Sequence, residues 1–208
     1  GTLTDPKEGI LGCIRYALEK SGRAAPPEEE LHWCIGPSLY KSFPLLAPGI
    51  DEEEVKRLVG FYREEFAPRG KFKNKVYPGI PGLLASLQGR KKVYLATSKP
   101  HVFARDILHH FDLAKYFTAI HGSELDGTRT EKPDLIRHIL ETEKIPKDEA
   151  LIIGDRKFDV LGAKATGIVS VGITWGYGSE DELKEAGADY LFGDAASLGA
   201  FLTGPSSR

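Results

Sequence analysis

Apolar positions recur at helical spacing through the first third of the chain. In "ILGCIRYALEK", Ile10, Ile14, Ala17 and Leu18 fall on one face of a helix. "PPEEELHWCIG" opens with prolines and acids, which predicts a helix that stops at Gly36. "SLYKSFPLL" and "DEEEVKRLVGFYREEF" extend the series, the latter with three acids in its first turn to complement the helix dipole. "RGKFKNKVYPG" breaks the pattern with Gly, Lys, Asn and Pro and reads as a hinge closing an all-helical insert over residues 9–76.

Beyond the hinge, short apolar runs alternate with helical segments. "IPGLLASLQ" reads as a helix, "KVYLA" as a strand stopping at "TSKP", and "HVFARDILHHF" as a helix followed by a short strand "YFTAI". The helix "PDLIRHILETE" precedes the strand "ALIIGD", "FDVLGAKATG" precedes "VSVGIT", and "SEDELKEAGA" precedes "YLFGD". Such alternation predicts an α/β fold with parallel strands buried on both faces. The expected organisation is a Rossmann-like core of residues 1–8 and 77–208 carrying the helical insert, with "TGPSSR" a frayed tail.

Composition narrows the class. Of 208 residues 41% are hydrophobic, enough for a core, and the formal charge of −2 gives no basic field to attract nucleic acid. No apolar run is long enough to span a bilayer. Two cysteines, Cys13 and Cys34, make no disulfide framework and are expected to fill buried gaps in a reducing cytoplasm. The absence of methionine means that the sequence does not begin at a start codon, and a start partway through the gene product is expected.

Ligands of parallel α/β sheets gather at the carboxyl ends of strands. There "VYLA" delivers Thr97 and Ser98, whose hydroxyls and N–H groups suit an anion at the next helix start. "LIIG" delivers Asp155, with Asp159 four residues on, a pair suited to a hard cation such as Mg²⁺. Between them Lys132 stands directly before Pro133 at a helix entrance. Each feature alone has an ordinary reading as a cap or a solvated side chain; the order hydroxyl, lysine, paired acids is the informative signal. His101 reads as a helix-start surface residue, His109 and His110 as surface, and His32 and Trp33 as packing in the insert. Trp175 and Tyr177 border the site or form a structural lid.

With these motifs the sequence resembles the haloacid dehalogenase-like hydrolases. "GTLT" fits the end of the family's Asp-x-Asp-Gly-Thr-Leu signature through Gly1, Thr2 and Leu3. "LATSKP" is similar to the second motif, Lys132 in "EKPDLI" to the third and "IIGDRKFDV" to the fourth, and the insert sits where the family carries its helical cap. The resemblance implies a Mg²⁺-dependent phosphomonoester hydrolase working through an aspartyl-phosphate. Its nucleophile and its acid/base are two aspartates expected upstream of Gly1. It also implies catalytic roles for Lys132, Thr97 and Asp155, and phosphate binding by Thr97, Ser98, Lys132 and Thr2. Metal binding falls to Asp155 and Asp159. "SELDGTRT" echoes the first motif but offers one acid, Asp126, where two are needed, and reads as an Asp-Gly turn.

The stretches "CIGPSLYKSF", "KNKVYPGI" and "GDRKFDVLGAK" are similar to a 5′-nucleotidase-like subgroup near the phosphoglycolate phosphatases. This makes Gly36, Pro37, Tyr40 and Lys41 candidate substrate contacts, although the subgroup often has Arg where Tyr40 stands. Nucleoside 5′-monophosphates are the first expected substrates and phosphoglycolate the second. A phosphonatase (with a lysine such as Lys20 forming a Schiff base), a phosphoglucomutase, or a non-catalytic binding module are the alternatives. A dinucleotide-binding reading fails because no Gly-x-Gly-x-x-Gly follows a strand. A small phosphate ester is the expected partner, with no nucleic-acid polymer, no membrane, a cytoplasmic location and a monomer or dimer.

Overall fold

The computed structural model describes residues 1–204. Residues 205–208 of the expected frayed tail lie outside the described residues, and Thr203 ends a helix. The chain divides into two compact units, one of Thr4–Lys75 and one of Gly1–Leu3 with the chain from Val76 onward.

Strand β1 (Thr4–Asp5) and strand β2 (Lys75–Val76) mark the ends of the first stretch, with α1 (Lys7–Lys20), α2 (Leu39–Leu46) and α3 (Glu52–Phe66) between them. Helices α1 and α2 both pack on α3. The apolar spacing seen in the sequence becomes their shared core: Leu11, Ile14 and Leu18 of α1, Phe43 of α2, and Leu58, Val59 and Phe66 of α3 are all buried. Asp51 caps α3 by accepting the Glu54 N–H at 2.8 Å, ahead of the three acids of its first turn. The ends of the unit are tied where Gly9 donates its N–H to the Lys73 carbonyl at 3.2 Å and Thr4 Oγ1 donates to Asn74 Oδ1 at 2.9 Å. One expected helix differs. Residues Glu28–Cys34 form a 3-10 segment, because the buried residues Leu31 and Cys34 stand three apart, the period of that tighter turn. His32 and Trp33, expected as packing, are exposed instead, Trp33 at 38%.

The second unit contains α4 (Ile80–Leu87), β3 (Tyr94–Pro100), α5 (His101–His110), β4 (Ala119–Ser123) and α6 (Lys132–Thr142). After them come β5 (Leu151–Gly154), α7 (Lys157–Thr166), β6 (Val169–Ile173), α8 (Glu180–Ala186), β7 (Tyr190–Phe192) and α9 (Ala195–Thr203). The strands are parallel throughout, in two sheets of order β3-β4 and β5-β6-β7. Successive residues of β5 point to opposite faces: Ile152 packs with Ile136, Leu140 and Ala163, and Ile153 packs with Leu198 and Leu83. Both faces are therefore covered by helices, as the unbroken apolar runs predict for a parallel sheet.

Three details depart from the sequence reading. Strand β3 runs on through Thr97 and Ser98 to Pro100, with its register on β4 shifting after Thr97↔Gly122. Strand β4 begins later than "YFTAI" suggests, because Ala114–Tyr116 forms a 3-10 turn. Helix α9 was not anticipated, although its cap is conventional: Asp194 accepts the Ser197 N–H at 2.8 Å. Since Leu58 is wholly buried beneath α1 and α2, Leu58→Ala is expected to destabilise the helical unit by about 2–5 kcal/mol in a urea titration.

Candidate active site

The strand ends converge as the alternating pattern requires. Strand β5 ends in Gly154 and hands the chain to Asp155, which is buried together with Asp159. Its carboxylate is held from several directions. Thr2 Oγ1 donates to Oδ1 at 3.0 Å, the Tyr177 N–H donates to Oδ2 at 3.0 Å, and the Gly1 nitrogen stands 3.5 Å from Oδ1. Burial pushes the Asp155 carboxyl up, and the Tyr177 and Thr2 hydrogen bonds and the Lys132 charge pull it down.

Lys132, the first residue of α6, carries a second junction. Its Nζ lies 2.7 Å from Asp159 Oδ1 and donates to the Ala96 carbonyl of β3 at 2.7 Å. One ammonium thus connects the β3 end, next to Thr97 and Ser98, with α7. The second Asp159 oxygen, Oδ2, accepts the Arg156 N–H at 3.2 Å. Asp159, expected to hold the metal or its waters, forms an ion pair with the lysine. Thr97 Oγ1 accepts the Lys99 N–H at 3.2 Å, and the Ser98 carbonyl accepts from Ser123 Oγ at 2.9 Å, which shapes the turn into α5.

Glycines make this density possible. A Cβ on Gly154 would lie 2.2 Å from Asp159 Cγ, and one on Gly176 would lie 2.2 Å from Asp155 Cβ. The loop after β6, residues 174–179, is thus part of the site. Trp175 Nε1 donates to the Thr2 carbonyl at 3.2 Å and the Gly178 N–H to the Asp155 carbonyl at 2.8 Å. Of the two sequence readings of Trp175 and Tyr177, the structure supports residues that border the site. The bonds run through main-chain atoms at Thr2, Asp155 and Tyr177, which leave no mark in residue type; the Gly-rich "WGYGS" was the only available signal.

The remaining candidates fall elsewhere. Gly36, at φ +125°, and Pro37 precede α2, and Tyr40 and Lys41 lie in its first turn, all within the helical unit. His101 pairs with Glu124 at 3.3 Å, and His109 and His110 are exposed. "SELDGTRT" is a turn in which Asp126 accepts the Thr128 N–H at 2.8 Å. Both cysteines are free and buried, and burial pushes the Cys34 thiol up to about 12, which makes it a poor nucleophile. Among the described residues no three His, Cys, Asp or Glu side chains cluster as a metal cage, and no helix is long and apolar enough to cross a membrane.

The model of the haloacid dehalogenase-like hydrolases matches residues 1–173. The chain belongs to this family. It is 46% identical over 199 residues to a 5′-nucleotidase of Pseudomonas aeruginosa, covering 95% of this chain and 90% of that protein. It is 36% identical to the tyrosine-protein kinase PtkA of Mycobacterium tuberculosis, over 87% of this chain and 62% of that protein. Among solved structures, a predicted phosphatase from Clostridium acetobutylicum superposes with a TM-score of 0.93 at 43% identity, covering 97% of this chain and 94% of that one. The expectation of a haloacid dehalogenase-type phosphatase therefore stands, and so does the α/β fold class. Because a methyl group at position 176 meets the Asp155 side chain, Gly176→Ala is expected to lower both the melting temperature and the turnover of the full-length protein, read by calorimetry and by phosphate release.

Proposed function

We propose that the protein is a Mg²⁺-dependent phosphomonoesterase whose preferred substrates are nucleoside 5′-monophosphates. The observation that carries this reading is the Lys132 ammonium, shared between the Asp159 carboxylate and the Ala96 carbonyl beside Thr97, with the buried Asp155 anion in its field. A transferring phosphoryl group needs such converging charge at a strand rim.

The residues fit magnesium. Asp155 offers a buried carboxylate whose partners, the Thr2 hydroxyl and the Tyr177 N–H, are neutral donors, whereas Asp159 is paired with the Lys132 ammonium. Magnesium favours few carboxylates, several waters and a phosphate oxygen. When bound, the ion would neutralise phosphate charge and orient the ester for attack. Asp155 would be its protein ligand and Asp159 would reach it through water while keeping Lys132 aimed. Thr97 and the Ser98 N–H would hold the transferring oxygens, and Thr2 would fix the loop that faces Asp155.

The attacker in this reading is the first aspartate of the pair that the family signature sets ahead of Gly-Thr-Leu. The residue joined to the Gly1 nitrogen, the second aspartate in that signature, would stand beside Asp155, because that nitrogen is 3.5 Å from Oδ1. Attack on phosphorus expels the alcohol, which takes its proton from the second aspartate, and the same carboxylate then draws a proton from water to hydrolyse the aspartyl-phosphate. Lys132 keeps the nucleophile ionised.

The substrate choice rests on the 46% identity to a 5′-nucleotidase. In the helical unit, Tyr40 would stack on a base and Lys41 would meet an anionic group, with the Gly36–Pro37 turn presenting both. In a phosphate-release assay on the full-length protein, Lys132→Ala and Asp155→Asn are each expected to lower kcat by about 100- to 1,000-fold. Nucleoside 5′-monophosphates should exceed phosphoglycolate in kcat/KM. Faster turnover of phosphoglycolate would move the assignment to the second substrate, and near-normal activity of either variant would remove the site.

A further inference from the structure

Asp155 is followed at once by Arg156 and its long side chain. It turns to α8, where Nε donates to Glu182 Oε1 at 2.8 Å and an Nη donates to Oε2 at 3.3 Å. The same Oε1 accepts the Lys157 N–H at 2.9 Å. Glu182 thus binds both residues that follow Asp155 with one carboxylate, through a fork of the kind that fixes orientation as well as distance. The pair is little exposed, with the Arg156 side chain at 11% and Glu182 at 22%.

The contact closes a ring. Glu182 donates its N–H to Ser179 Oγ at 3.0 Å, Gly178 just before it donates to the Asp155 carbonyl at 2.8 Å, and Tyr177 donates to the Asp155 carboxylate at 3.0 Å. On the other side Arg156 donates its N–H to Asp159 Oδ2 at 3.2 Å, which leaves Oδ1 to Lys132. A Cβ at Gly178 would lie 2.2 Å from the Asp155 carbonyl and 3.1 Å from Glu182 Oε1, so no slack separates the members.

We infer that Glu182 is a positioning residue for the metal-binding carboxylate: through Arg156 and Lys157 it sets the backbone from which Asp155 and Asp159 project. This rests on the reading of Asp155 as the Mg²⁺ ligand. The motif order does not single out Glu182, which in sequence is one acid of the ordinary first turn "SEDE". Its effect should appear in metal affinity, because groups that orient a ligand typically change metal binding by about 10- to 100-fold.

The test is titration calorimetry of the full-length protein with MgCl₂ alone, in the wild type, Glu182→Gln, Glu182→Ala and Asp155→Asn. Glu182→Gln keeps an acceptor for the Lys157 N–H but gives up the charge that holds Arg156, and is the variant expected to stay folded. It should weaken Mg²⁺ binding about tenfold with an unchanged far-ultraviolet circular dichroism spectrum, and Glu182→Ala should weaken it further. With 4-nitrophenyl phosphate at saturating Mg²⁺, the kcat of Glu182→Gln should recover toward wild type while its Mg²⁺ requirement stays raised. Wild-type Mg²⁺ affinity in Glu182→Gln, alongside loss of binding in Asp155→Asn, would overturn the inference and leave the metal reading intact. Unchanged affinity in Asp155→Asn would overturn the metal reading itself.

Discussion

The arrangement depends on one ammonium placed between two sheets. Lys132 opens α6 with Pro133 behind it, and its Nζ is shared by the Ala96 carbonyl of β3 and the Asp159 carboxylate of α7. Each contact sets a constraint on a different part of the fold. The carbonyl ties α6 to β3 at Ala96, and the carboxylate fixes the face that α7 presents. Gly162 of α7 meets this requirement, because a Cβ there would lie 2.7 Å from Lys132 Cβ. A buried cation with one partner removed would be strongly destabilising, so the helix, strand and loop are selected together.

The Asp155 side of the site follows the same logic with opposite sign. An anion withdrawn from water keeps its charge only if donors replace the lost solvent. Thr2 and Tyr177 supply them, from chain positions far apart in sequence, and the Gly-rich loop approaches closely because it lacks side chains at Gly176 and Gly178. Family membership and phosphatase character agree with this chemistry. The division of labour proposed for Asp155 and Asp159, one for the cation and one for the lysine, rests on the ion pair that Lys132 makes with Asp159.

Much of this was readable in the sequence where residue type carries the physics. The helices of the insert show in the spacing of Ile10, Ile14, Ala17 and Leu18, and the end of β5 shows in an apolar run stopping at Asp155, whereas β3 continues past Thr97 to Pro100. The family resemblance stood on four motifs in order. What escaped was carried by geometry without a residue signature. A 3-10 segment at Glu28–Cys34 differs from an α-helix by half a residue per turn, which seven residues cannot display. Helix α9 lay hidden in a small, weakly patterned run whose clearest mark was its cap, Asp194. The partners of Asp159 and the reach of Glu182 depend on where backbone N–H groups point, and "GDRKFD" spells only the acids.

The central claim is that Asp155 holds a cation while Lys132, Thr97 and Ser98 hold the phosphoryl group facing it. The most direct measurement is a crystal structure of the full-length protein with Mg²⁺ and orthovanadate. The account predicts the ion about 2.1 Å from an Asp155 carboxylate oxygen, with vanadate oxygens on Lys132 Nζ, Thr97 Oγ1 and the Ser98 N–H. Vanadate and metal bound away from these residues, with Asp155 still closed on Thr2 and Tyr177, would contradict it.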